Sequence, residues 1–61
     1  MLIWTRPFFS PRNAIGYGLH GQAYAISGNH SRAILEYNRA LQVKPNYDSA
    51  DANRTTAKLL Q

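Results

Sequence analysis

Cysteine is absent from the 61 residues, so no disulfide and no thiolate metal site can staple the fold. The absence fits a reducing compartment and is equally allowed elsewhere, so it leaves the compartment open, cytoplasmic only by default. Histidine is scarce as well: His20 and His30 lie ten apart with no third ligand near in sequence. That spacing matches no metal-site pattern, and no bound metal or other cofactor is expected. Long apolar runs are missing too, none approaching the roughly 18 residues of a membrane span. The opening MLIWTRPFFSPR is apolar but broken by Arg6, Pro7 and Pro11. It has no charged n-region, long h-region or small-residue cleavage site, so it does not read as a signal peptide.

Acids are few: three against seven Lys and Arg, a formal net charge of +4. The cations Arg6, Arg12, Arg32, Arg39, Lys44, Arg54 and Lys58 are spread singly. Nucleic-acid binders more often cluster them in runs or beside a reading motif, so a solvated surface is the expectation and nucleic-acid binding the minor alternative. Catalysis has little support either. His30 and Ser31 are consecutive, and consecutive residues of a helix do not face each other. No acid is placed to orient either histidine in a triad. His20 reads as a semi-buried core ring and His30 as an exposed first-turn residue.

What is present is helical punctuation. Ser10-Pro11 resembles a helix start, with Ser10 as N-cap and Pro11 at the first helical position. Ala14, Tyr17, Gly21, Tyr24 and Ala25 then recur at helical spacing. Gly28 can take the left-handed turn that ends this helix, and Asn29 can cap the next. Ala33, Ile34, Tyr37, Ala40 and Leu41 form an apolar stripe with a period of about 3.6 residues. Glu36 stands four and three residues from Arg32 and Arg39, a spacing that predicts ordinary solvent-side pairing. Pro45 stops this second helix. Asn46 can cap a third, with Asp48 and Asp51 in its first turn and Lys58 near its end, as the helix dipole favours. The third helix is polar, so it reads as terminal and water-facing.

GYGLHG, Gly16 to Gly21, also fits the G-x-G-x-x-G pattern of dinucleotide-binding loops. That chemistry requires a strand before the loop and a second strand after its helix. Residues 30–44 read as helix, and the first strand would have to contain Pro7 and Pro11, which sheets tolerate only at edges. The glycines therefore belong inside a helix.

Tyr17, Gly21, Tyr24, Gly28, Ala33, Tyr37, Ala40 and Pro45 are separated by four, three, four, five, four, three and five residues. That series resembles the tetratricopeptide repeat, a helix–turn–helix unit of about 34 residues. AILEYNRALQVKPN is especially similar to the family's second helix and closing turn. The resemblance implies that Gly21 and Ala33 are small so that two helices can approach, while Tyr17, Tyr24 and Tyr37 fill the spaces around them. His20 departs from the family's usual leucine. Gly16 and Gly18 are additional, each costing roughly 1 kcal/mol relative to alanine inside a helix. Asp51, Arg54, Thr55 and Lys58 stand where a next repeat would carry aromatic, Leu, Gly and Tyr, so the third helix resembles a capping helix.

The expected fold is all-α: an apolar leader over 1–10, a helical hairpin over 11–47, and a polar capping helix over 48–61. A repeat cannot bury its hydrophobic face alone, and about three are usually needed. Trp4, Phe8 and Phe9 of the leader, a second copy, or a longer array are the candidate sources of cover.

The resemblance implies a non-catalytic protein-interaction module that holds a peptide on its first-helix face. Ile15, Leu19, Gln22 and Ile26 would present that face, followed by Ser49, Ala52, Asn53 and Thr56 from the third helix, with a hollow at Gly18. Asn53 and Thr56 are the third-helix residues singled out as partner-binding. The carboxylate-gripping subgroup of the family is not indicated, because only Asn53 occupies a matching place. Self-association is the alternative function.

Overall fold

The computed structural model describes residues 13–61, and over them the chain is all-α: a helical hairpin followed by a third helix. The leader, and with it the Ser10 cap and Pro11, lies outside the described residues.

Helix α1 spans Ala14–Ile26. Its N-cap is Asn13, in extended geometry, whose side-chain oxygen accepts the Gly16 N–H at 2.9 Å. Asn13 is thus not helical, and the helix begins later than Ser10-Pro11 implies. At the other end Gly28 has φ +89°, the left-handed conformation open to glycine. Asn29 N–H donates to the Tyr24 carbonyl at 2.9 Å and Gly28 N–H to the Ala25 carbonyl at 3.1 Å. This is the Schellman pair, which satisfies carbonyls the helix end leaves open.

Helix α2, His30–Val43, follows at once. Asn29 caps it by accepting the Arg32 N–H at 3.2 Å, so two adjacent residues end one helix and start the next. Replacing Asn29 by alanine is expected to cost about 1 kcal/mol. Asn46→Ala should cost far less, because the N-cap of α3 is Tyr47, with no side-chain capping bond. Urea denaturation of the two variants side by side checks the contrast.

The sequence expectation of an Asn46 cap is therefore corrected by one residue. Tyr47 is kept from turning back on its helix by its ring, which lies against Gly18 of α1 and under the Lys44 ammonium, 5.3 Å from the ring centre. Lys44 has left helical geometry, at φ −135° and ψ 89°, as the residue before a proline is biased to do, and closes α2. Helix α3 spans Asp48–Leu60, with Asp48 and Asp51 at its start and Lys58 in its last turn.

Among the described residues α2 is the central helix, packed against both α1 and α3. The contact surfaces are built from small residues. Ala33 and Ala40 are wholly buried, and Ala50 and Ala57 of α3 nearly so. Alanines let helix axes come close, and one large ring, Tyr37, fills the space that remains. Gly21 makes room for it: a Cβ there would sit 2.6 Å from Cε1 of Tyr37. Arg54 ties α3 to α2 through its guanidinium, donating to Asn38 at 2.8 Å and to Asp51 at 3.0 Å.

Glu36 is the main correction inside the hairpin. It is not on the solvent side but 3% exposed, within the stripe of Ala33, Tyr37 and Ala40. Its Oε2 lies 3.5 Å from Arg39 Nη1 and its Oε1 3.8 Å from His20 Nδ1. Arg32 instead lies over the Tyr24 ring, 5.7 Å from its centre. His20, expected as a semi-buried ring in the core, is half-exposed and sits over this carboxylate.

Candidate functional site

Helices α1 and α3 both pack on α2 and touch each other only lightly, and a groove of about 240 Å³ is lined by residues of all three. Its floor is Tyr37 of α2, with Ala25 of α1 and Ala57 of α3 beside it. Its walls are Gln22 and Ile26 on the α1 side, and Asn53, Thr56 and Leu60 on the α3 side. His30, in the first turn of α2, also lines it.

The register of each helix explains the arrangement. Gln22 and Ile26 are four apart, and Asn53, Thr56 and Leu60 are three and four apart, so each set lies along one face. Ala25 and Ala57 are too small to fill the space between those faces, so the floor stays open down to Tyr37.

Four of the six sequence-designated partner-binding residues thus meet in one place: Gln22, Ile26, Asn53 and Thr56. Ile15 and Leu19 do not line the groove. They lie on the same exposed face of α1, nearer its start. The hollow expected at Gly18 is filled, because the Tyr47 hydroxyl comes within 3.0 Å of where a Cβ would stand.

His30 belongs to the groove although sequence reasoning placed it as an exposed residue. It is half-buried, and among the described residues its Nδ1 has no hydrogen-bond partner. Its position beside the Asn29 cap, one turn before Ala33 and at the closed end of the hairpin, was the available signal. Tyr37 was read only as a core ring, yet it also forms the groove floor. Burial pushes its phenol above the ordinary 10.0, and the neighbouring Tyr47 phenol adds to the effect.

None of the groove-lining residues carries a permanent charge. Thr56 donates its hydroxyl proton to the Ala52 carbonyl at 3.2 Å, leaving its oxygen as an acceptor. The carboxamides of Gln22 and Asn53 each offer both a donor and an acceptor. Such a surface can meet an uncharged ligand with apolar and amide character. Among the described residues no group of three His, Cys, Asp or Glu could hold a metal ion, and no helix is long and apolar enough to cross a membrane.

Comparison with protein-family models, with curated proteins and with solved structures finds no match for this chain. Four of the described cations have a partner nearby. Arg39 is beside Glu36, Arg54 bonds Asn38 and Asp51, and Arg32 and Lys44 each lie over a tyrosine.

Proposed function

We propose that this chain is a non-catalytic protein-interaction module of tetratricopeptide-repeat type, which holds a peptide segment between α1 and α3. The observation that carries the reading is the uncharged groove walled by Gln22, Ile26, Asn53 and Thr56 over the Tyr37 floor. Its volume is below the roughly 300–1,000 Å³ of drug-sized pockets, which suits one or two side chains of a longer segment. The carboxamides would meet the peptide backbone, and the apolar floor would take a neutral side chain. No charged group lines the groove to favour a terminal carboxylate.

A randomised linear-peptide display library panned against the full chain tests this. Selected peptides, measured by fluorescence anisotropy, are expected to bind Asn53→Ala about tenfold more weakly, the loss of one well-placed hydrogen bond. No enrichment over an unrelated helical protein sinks the reading. So do peptides that bind the Gln22→Ala, Asn53→Ala double variant undiminished.

A further inference from the structure

The exposed face of α1 reaches past the groove to Ile15 and Leu19 and shows a further property. Among the three described helices, α1 alone has no Asp, Glu, Lys or Arg. It also presents large apolar side chains to solvent: Ile15 is 57% exposed, Leu19 49% and Ile26 80%. A helix turned to water on one side normally carries charge there. His20, the one titratable group of α1 besides its tyrosines, is directed toward Glu36 and not along this face.

The exposed residues form a line: Ile15, Leu19, Gln22 and Ile26, at intervals of four, three and four. These are the alternating spacings of a coiled-coil seam. The series reads the same in both directions, because its centre lies between His20 and Gly21. Two copies of α1 laid antiparallel about a two-fold axis would therefore match in every layer. Ile15 would meet the other copy's Ile26, and Leu19 would meet its Gln22. A self-complementary patch of this kind is what a two-fold dimer requires.

Charge selects the same face. The chain carries a formal net charge of +4, so two copies repel wherever their charged surfaces approach. The α1 face is free of that penalty. We infer that this seam is an interface between two copies of this chain, formed by antiparallel pairing of their α1 helices. The inference rests on the α1 face and not on the peptide reading. Because Gln22 and Ile26 also wall the groove, dimer and peptide compete for the same side chains. A 13-residue helix is only about 20 Å long, so the interface falls under the roughly 1,200 Å² of standard complexes and forms a weak, concentration-dependent dimer.

Sedimentation equilibrium on the full chain, from low micromolar to near-millimolar concentration, tests the inference. The expected result is a monomer–dimer equilibrium whose association constant falls at least about tenfold in Leu19→Lys, while far-UV circular dichroism is unchanged. Leu59→Lys, on an exposed residue off the seam, should associate like the unmodified chain. Mixing Leu19→Lys with Leu19→Glu should restore dimers, since the two Leu19 positions flank the two-fold axis. A chain monomeric at every concentration overturns the inference. So does association that Leu19→Lys leaves intact, that Leu59→Lys abolishes, or that the mixture fails to restore. Leu19 lies outside the groove, so a failed dimer with intact peptide binding separates the two readings.

Discussion

Tyr37→Ala is expected to leave the chain largely unfolded at room temperature. Removing a large buried ring costs about 3–5 kcal/mol when the site cannot collapse. Here collapse is limited, because the core around the ring is built from small residues, Ala33, Ala40, Ala50 and Ala57, with Gly21 against the ring, and the larger Tyr17, Tyr24 and Leu41 pack only at its margin. A chain of this length has about 3–9 kcal/mol of total stability, so one substitution removes most of it. Far-UV circular dichroism and a urea titration measure the loss. Retained native helicity with a cooperative transition near that of the unmodified chain would show that Tyr37 is not the keystone of the hairpin. The phenol allows a second reading of the same residue. Its folded-state pKa is raised by burial and then by Tyr47, so the unfolded chain loses this proton first as pH rises. The stability held by the neutral phenol is fully present below pH 10.0 and is lost as pH climbs through the folded value. Tyr37→Phe should therefore keep the fold at neutral pH and lose less stability than the unmodified chain above pH 10.0. An identical alkaline decline in both would place the titrating group elsewhere.

The helices were legible because their punctuation is local. Gly28, Asn29 and Pro45 act through their own backbone geometry, so a sequence reading reaches them without knowing what packs on what. The α1–α2 approach was legible through the family resemblance, which implies that Gly21 and Ala33 are small so that two helices can meet. Glu36 was misread because charge was allowed to outrank period. It stands three after Ala33 and four before Ala40, on the buried stripe, and a carboxylate there keeps Arg39 and His20 at its rim. Gly18 and Asn46 failed together through Tyr47, whose ring packs across to α1. That is a tertiary contact between residues about thirty apart, and no spacing rule along one helix contains it. The groove was half legible. Helical phase puts Ile15, Leu19, Gln22 and Ile26 on one face, but it does not say how far α3 extends over that face.

Gly21→Ala should destabilise the chain by about 1–2 kcal/mol, against the usual direction for a glycine inside a helix. Helix propensity alone would favour alanine by up to about 1 kcal/mol. The added methyl, however, would stand 2.6, 2.7 and 3.0 Å from Cε1, Cδ1 and Cζ of Tyr37, closer than atoms can approach. The ring is 2% exposed and packed in the alanine-lined core, so either it leaves those contacts for the groove beside it or the helices part, and both lose packing. Overpacking of this kind costs about 1–3 kcal/mol, which exceeds the propensity gain. Gly18→Ala is the internal comparison: its Cβ meets the Tyr47 hydroxyl at 3.0 Å, at the tip of a half-buried ring that can shift, so its penalty is smaller. Coupling gives the decisive measurement. In a Tyr37→Leu background the ring is gone, so Gly21→Ala should become neutral or stabilising, a non-additivity of about 1–3 kcal/mol in a double-mutant cycle followed by thermal or urea unfolding. An equal penalty in both backgrounds would mean that the glycine serves something other than the tyrosine ring, and the packing of α1 on α2 would need a different origin.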